Sequence, residues 1–532
     1  MTDKQPIYIL PENVSRTLGK DAQRTNILAA KIVADIVKTT LGPKGMDKML
    51  VDATGNIVIT NDGVTILEEM EIDHPAAKMV VEIAKTQESE VGDGTTTVAL
   101  LAGKLLENAE KLLDRKIHPT LIAKGYTLAA EKAINILNEV ALPIKDTNVL
   151  KHIAMTAMTG KGAEGQKEKL SNLIVKAVEQ VSIGKETNIE NINIQKLKGE
   201  SIAESEIIHG IIIEKERANN DMPDKITNAK ILLADFALEL KNLEKEARIS
   251  VSTPEQLESF MASEEKYLKH LTDKIVSSGA NVVFCQKGID DVAQYYLAKE
   301  GVFACRRISK PDMEKLARAT SGKIISNIND LSSQLLGKAE IVEEVKKGGE
   351  CLIYIRGCQN QNSVTIIIKG SILYVIDEIE RAIKDGLGDV ILAVKGGKVV
   401  AGGGAVEIEV SRRLRSYAKT LGGREQLAIE EFANALESIP ETLAENAGLD
   451  PIDVLTELKR RHESGLVNSG LNLFNEKIED TFLAGIIEPL KVKIQAISSA
   501  SEVSVMILRI DDVLVSKDSS SKKLSNPYDG MD

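Results

Sequence analysis

Four loops concentrate Gly, Asp and Thr: Thr40-Leu41-Gly42-Pro43-Lys44-Gly45, Thr60-Asn61-Asp62-Gly63-Val64-Thr65, Gly92-Asp93-Gly94-Thr95-Thr96-Thr97 and Val400-Ala401-Gly402-Gly403-Gly404-Ala405. The third is the most informative. Gly92 and Gly94 let the backbone approach a ligand closely. Thr95, Thr96 and Thr97 then supply N–H and O–H donors at a helix start, which is an anion site. Asp93 stands beside it, where a bare carboxylate would repel phosphate. A hard cation bridging the two resolves this, and Mg²⁺ with carboxylate, phosphate and water ligands fits. The same residues also suit an ordinary helix N-cap. Either reading serves one such loop; four in one chain favour the phosphate site.

Other chemistries find little support. No Gly-x4-Gly-Lys-[Ser/Thr] occurs, and Lys44 is followed by Gly45, so any nucleotide site is not a P-loop of that kind. The six His residues form no HExxH, and there is no Gly-x-Ser-x-Gly elbow. Lys and Arg number 67 against 79 Asp and Glu, a net charge of -12, which disfavours nucleic acid as a partner. Aromatic residues are only 3%, with no Trp, which weakens base stacking. Cys285, Cys305, Cys351 and Cys358 make no CxxC pair, as expected of a reducing compartment. The opening Met1-Thr-Asp-Lys-Gln-Pro lacks an apolar signal core, and no apolar run reaches about 18 residues. A soluble, cytoplasmic protein with no membrane partner is expected.

The elements that must position these loops can be read from periodicity. From Asp21 to Leu41, Ile27, Leu28, Ile32, Ile36, Val37 and Leu41 fall near helical spacing, and Gly42-Pro43 stops the helix. Met49–Val51 and Ile57–Ile59 flank a predicted hairpin turn at Thr54-Gly55-Asn56. A second helix starts near Thr95, with Val98, Leu101, Leu105, Ala109 and Leu112 on one face. A third runs from Thr120 with Ile122, Tyr126, Ala129, Ala133, Ile136 and Val140, and Pro143 closes the block.

The middle of the chain alternates β-branched runs (Lys230–Phe236, Asn281–Cys285, Lys323–Ile328, Cys351–Ile355, Val364–Ile368) with helices such as Asp290–Lys299 and Asp312–Thr320, an α/β pattern. A charged excursion, about Lys241 to Lys274, carries the capping box Thr253-Pro254-Glu255-Gln256. Leu257, Phe260, Met261, Leu268 and Leu271 give it an apolar stripe, which suits either a packed amphipathic helix or a protruding one. After Gly404 the chain is helical again, through Leu427, Glu431, Ala435, Ile439 and Leu443, and the Ser/Lys-rich tail 516–532 reads as flexible. Helical ends around an α/β middle suggest that the middle is inserted into a domain made from both ends.

Longer motifs then identify a resemblance. TLGPKGMDKM at Thr40–Met49, TNDG at Thr60–Gly63, GDGTTT at Gly92–Thr97, TGKG at Thr159–Gly162, VVAGGGA at Val399–Ala405, LAENAGLD at Leu443–Asp450 and RIDD at Arg509–Asp512 together resemble a group II chaperonin. This is the thermosome type of archaea, related to the eukaryotic cytosolic ring chaperonin. The likeness runs from about Leu10 to Val515. It implies a multidomain α/β chaperonin fold with a mainly helical equatorial domain (1–144 and 402–515), an intermediate hinge (145–212 and 368–401) and an apical domain (213–367). The excursion at 241–274 then becomes a helical protrusion.

The resemblance also implies ATP and Mg²⁺ as cofactors, non-native proteins as substrates, and self or paralogous subunits in two stacked rings of eight or nine. Leu41, Gly42, Pro43 and Gly45, with Gly94, Thr95, Thr96 and Thr97, resemble the phosphate cradle, and Asp93 the magnesium ligand. Asp62 resembles a carboxylate that orients the attacking water, and Asp385 the catalytic base. Thr159, Gly160 and Lys161 resemble the γ-phosphate sensor loop. Gly403 and Gly404 would approach the adenosine, Asn472 the adenine and Glu488 the ribose. Without the family position, Asp385 reads as a solvated helix residue. Two features depart from the pattern: Gly386 follows Asp385 where Ala is frequent, and the chain ends in SSSKKLSNPYDGMD rather than a Gly/Met-rich tail. The readings weighed against an ATP-driven folding machine are a filament-forming ring protein and, remotely, a small-molecule kinase.

Overall fold

The computed structural model describes residues 14–51, 55, 57–70, 72–161, 164–182, 187, 189–199, 201–240, 253–347, 350–358, 363–370 and 372–516. The chain forms two compact units: Met1–Lys161 with Gly396–Asp532, and Gly162–Lys395.

The first unit is helical and is built around the Thr95–Asp114 helix. Its long run of apolar and small residues, from Val98 to Leu106, is buried on nearly every side, as an all-round apolar helix must be. Helices Gly19–Lys38, Pro75–Val91, Arg424–Asn446 and Leu490–Leu508 pack on it, with Pro119–Val140 behind. Small residues set the closest approaches. A Cβ on Gly103 would lie 2.3 Å from Ala34 Cβ, and one on Gly125 would lie 2.4 Å from Ala428 Cβ. This rotates the first helix from its expected face. Ala30 and Ala34 turn inward with Ile27, Val33 and Val37, while Leu28 and Ile32 are left more than half exposed. Tyr126 is fully buried; its hydroxyl donates to the Leu105 carbonyl at 2.7 Å, and its ring meets Phe432 edge-on.

Short strands tie the sequence ends of this unit together. Val14–Leu18 pairs antiparallel with Asp512–Ser516, and the Arg16 guanidinium meets Asp512 at 2.6 Å. Lys48–Val51 and Ile57–Thr60 form the expected hairpin; positions 54 and 56 of its predicted turn lie outside the described residues. Leu142–Pro143, Lys398–Ala401 and Ile487–Pro489 make a three-stranded sheet with the middle segment at its centre.

The second unit is the expected α/β region. Its sheet runs in the order Ile192–Lys198, Val364–Gly370, Glu206–Ile213, Glu350–Cys358, Gly337–Lys347, Lys225–Ala234, Val282–Cys285, Phe303–Cys305, with Ile324–Ile325 also pairing to Lys225–Ala234. The Lys225–Ala234, Val282–Cys285 and Phe303–Cys305 strands are parallel, while Gly337–Lys347 and Glu350–Cys358 pair antiparallel. Residues alternate between two cores: Ile231, Leu233, Val282 and Phe284 face one, and Leu232, Ala234, Val283 and Cys285 the other. The run expected at Lys323–Ile328 shrinks to the two-residue strand Ile324–Ile325, because a 3-10 turn begins at Ile328.

Thr253 caps the Pro254–Ser277 helix by accepting the Gln256 N–H, with Pro254 in the first turn as expected. Leu268 and Leu271 are buried in its C-terminal half, whereas Phe260 and Met261 are exposed. Residues 241–252, the Leu257 side chain and the tail 517–532 lie outside the described residues.

Candidate functional site

Most of the singled-out residues lie in the helical unit, and the fold gathers them from seven separate stretches of chain. The Thr95–Asp114 helix begins after Gly94, which adopts φ +80 and provides no side-chain cap. Asp93 is therefore not spent as an N-cap, and no side-chain oxygen caps the first turn. The N-cap position thus falls to Gly94, and the first-turn N–H groups lack the side-chain acceptor that an Asp N-cap would supply. Gln87, fully buried, donates to the Asp93 carbonyl at 2.8 Å and to the Val492 carbonyl at 3.3 Å, so the loop is held from below.

Asp62 caps the short Gly63–Glu68 helix, with Oδ2 accepting from the Thr65 N–H and Thr65 Oγ1. Its Oδ1 accepts from Thr95 Oγ1 at 3.3 Å. A Cβ on Gly63 would lie 2.9 Å from the Thr96 nitrogen, so these two loops touch backbone to backbone.

The loops at 41–45 and 159–161 complete this side. Gly42 sits at φ +81, and the Gly45 N–H donates to its carbonyl at 2.9 Å. Asn446 donates to the carbonyls of Lys38 and Leu41, fixing where the helix ends and the loop begins. Gly160, at φ +80, lies against this loop; a Cβ there would be 2.9 Å from Pro43 Cα. Asn61 donates to the Gly160 carbonyl at 2.7 Å. Leu41, Pro43, Thr159 and Lys161 are carried along the same two loops; Thr159 donates from Oγ1 to the Met155 carbonyl, and the Lys161 N–H to the Met158 carbonyl.

A second group forms around the glycine turn. Gly403 and Gly404 are both left-handed, and Cβ atoms on them would lie 2.6 Å from the Leu471 carbonyl oxygen and 2.6 Å from Pro440 Cβ. The Leu471 N–H donates to the Gly403 carbonyl. Asn472, buried, donates to Glu479 and accepts the Phe474 N–H at 3.0 Å. Glu488 lies on the strand paired to Val400, and a Cβ on Gly402 would lie 2.8 Å from its Oε1. The Lys493 ammonium lies 2.5 Å from Glu488 Oε2 and 2.9 Å from Glu407 Oε1. Burial raises the Glu488 pKa, with Glu407 and Asp93 adding to it and Lys493 opposing. Burial works against the Lys493 charge, but the two carboxylates raise its pKa above the ordinary ammonium range.

The sequence reading missed Gln87, Asn446, Glu407 and Lys493. Glu407 had a usable signal, being a carboxylate three residues after the glycine turn; the others are recognisable only once the chain is folded.

Asp385 belongs to the other unit, on the Leu373–Gly396 helix. It is only 6% exposed and Asp389, one turn on, 2%, so the solvated-residue reading fails. The helix runs unbroken through Gly386. Among the described residues no cluster of three or more His, Cys, Asp or Glu forms a ready-made metal cage. A single carboxylate at a phosphate site suits Mg²⁺, which takes much of its coordination from phosphate and water. No helix of the described residues is long and apolar enough to cross a membrane.

Comparison with known proteins gives a consistent answer. The sequence profile of the TCP-1/cpn60 chaperonin family matches residues 33–518. A thermosome subunit beta of Archaeoglobus fulgidus is 56% identical, over 99% of this chain and 98% of its own. A thermosome subunit alpha of the same organism is 53% identical over 96% of this chain and 95% of its own. A solved structure of an open-state monomer of a group II chaperonin from Methanococcoides burtonii is 45% identical, covers 79% of this chain and 100% of its own, and superposes with a TM-score of 0.62.

Proposed function

The chain belongs to the TCP-1/cpn60 chaperonin family and has the chaperonin fold, and from that premise we propose that it is an ATP-hydrolysing, ring-forming chaperone of the thermosome type. The observation that carries the nucleotide reading is the uncapped start of the Thr95–Asp114 helix, with Asp93 beside it and the loops at 41–45, 61–63 and 159–161 closed around one another. In this reading the N–H and hydroxyl groups of Gly94, Thr95, Thr96 and Thr97, with the backbone of Leu41, Gly42, Pro43 and Gly45, bind the phosphates. Asp93 holds Mg²⁺, which when bound neutralises phosphate charge. Gly403 and Gly404 admit the adenosine, Asn472 meets the adenine, and Glu488 the ribose.

Asp62 orients the water, and Asp385 takes its proton as the water oxygen bonds to the γ-phosphorus and the bond to ADP breaks. Lys161 senses the γ-phosphate as a mobile point charge. In this reading Asp385 acts when its domain swings onto the nucleotide, which couples hydrolysis to closure, as in enzymes that assemble their sites on closure. The three-part division into equatorial, intermediate and apical domains, with 241–274 as a protrusion that closes the chamber, belongs to the same proposal. So do double rings of eight or nine self or paralogous subunits and a cytoplasmic location. Relatives named as alpha and beta subunits of one organism support mixed assembly.

The test is the refolding yield of a chemically denatured protein with the ring-sized fraction, with and without Mg²⁺-ATP. An ATP-dependent gain is expected. Suppressed aggregation with no ATP-dependent release would refute the coupled cycle.

A further inference from the structure

The residue at this site that no family motif brought forward is Lys493. It stands in the first turn of the Leu490–Leu508 helix, the positive end of the helix dipole, where a cation is disfavoured. It is also buried, at 7% exposure, and a lysine is rarely buried unless it is paired. Its two partners come from two other elements: Glu407 from the helix that follows the glycine turn, and Glu488 from the strand beside it. A buried ion pair does little for stability that an apolar packing could not do, so its effect on geometry is what remains to be explained.

That geometry is specific. Glu488 Oε2 is committed to the Lys493 ammonium at 2.5 Å. Its Oε1 lies beside Gly402, where a Cβ would come within 2.8 Å. Pinning one oxygen of a carboxylate fixes its plane and so aims the other. Lys493 is in turn held from behind by Glu407, which is 3% exposed and whose Oε2 has no hydrogen-bond partner among the described residues. The neighbouring residue Val492 accepts the Gln87 amide that also holds the Asp93 carbonyl. One helix turn therefore ties the metal-side loop and the glycine turn into a single frame.

We propose that Lys493 is a positioning residue for nucleotide selection: clamped by Glu407, it fixes the Glu488 carboxylate so that the site discriminates nucleotides by their ribose hydroxyls. This rests on the reading of Glu488 as the ribose contact. A rigid, single-oxygen acceptor gains a charge-assisted hydrogen bond from a ribose hydroxyl without first paying to order the side chain.

The experiment measures equilibrium binding of ATP and of 2′,3′-dideoxy-ATP to the assembled full-length protein. The wild-type protein binds ATP about tenfold tighter than the dideoxy nucleotide, the worth of one charge-assisted hydrogen bond. In Lys493→Met that ratio falls to about one or two, chiefly through loss of ATP affinity, while Lys493→Arg, which keeps the charge and both partners in reach, restores most of it. Because Lys493→Met leaves two carboxylates facing each other, the double variant Lys493→Met with Glu407→Gln is measured alongside; it keeps the wild-type net charge and loses the ratio equally. An undiminished ratio in either folded variant overturns the proposal. A wild-type protein that binds ATP without preferring it over the dideoxy form overturns the ribose role of Glu488 and this proposal with it, leaving the nucleotide site intact. A wild-type protein that binds neither refutes the nucleotide reading itself.

Discussion

Gly160→Ala tests whether the loops at 41–45 and 159–161 work as one surface. Gly160 sits at φ +80, a region that costs a residue with a Cβ about 1 kcal/mol. The new Cβ would meet Pro43 Cα at 2.9 Å, inside the 3.4 Å at which ordinary contact begins, and that atom is backbone, not a flexible tip. The loops must part to relieve it, and the Asn61 bond to the Gly160 carbonyl is then stretched, at a further cost of about 1 kcal/mol. Together these effects amount to about 2 kcal/mol, roughly thirtyfold in ATP affinity if binding needs both loops in place. The assay is ATP binding by calorimetry on assembled protein. Gly165→Ala serves as the control, since a Cβ there meets nothing within 4 Å. If Gly160→Ala binds ATP as tightly as the control, the two loops do not share a ligand and the reasoning fails.

Asp93→Asn raises the Mg²⁺ concentration needed for half-maximal ATP turnover by at least about tenfold, as a magnesium titration would show. Asn446→Ala removes both donors to the Lys38 and Leu41 carbonyls, which costs about 1.5 kcal/mol and weakens ATP binding about tenfold in the same calorimetric assay. The Glu409 carboxylate is fully buried; burial raises its pKa, but His462, Arg412 and Arg413 outweigh that and hold it at about 2 instead of 4.5. Its contribution to stability is thus complete above about pH 4.5 and is lost as pH falls towards 2. Acid unfolding of Glu409→Gln should lack that part of the profile and be weaker at neutral pH by about 3 kcal/mol.

Much of the helical unit was legible because its signals are local. Apolar residues at helical spacing marked the starts of the Thr95–Asp114 and Pro119–Val140 helices to within a residue, and Thr253-Pro254 marked the start of another. The rotation of the first helix was not legible. Ala30 and Ala34 look indifferent until Gly103 lets a neighbouring helix come close, and only then do Leu28 and Ile32 turn outward. The strand at Ile324–Ile325 is shorter than its β-branched run suggests, since the Asn327 side chain accepts the Asn329 N–H and starts a 3-10 turn at Ile328.

The site divides along the same line. Glycine-rich loops announce themselves because left-handed backbone at Gly42, Gly94 and Gly403 has few alternatives. Their supports do not: Gln87 and Lys493 sit in ordinary helical sequence and acquire meaning from partners on other elements, Val492 for Gln87 and Glu407 for Lys493. Asp385 is the extreme case. Its helix gives no local sign that the residue is buried, and only family position singled it out.

The most direct test of the account is to compare ATP binding and steady-state ATP hydrolysis in the wild-type assembly and Asp385→Ala. The account predicts ATP affinity within about threefold of wild type and turnover reduced at least about a hundredfold, the usual worth of a general base. Unchanged turnover with intact binding would contradict it, because the buried carboxylate on the second unit would then have no part in the chemistry that drives the chaperone.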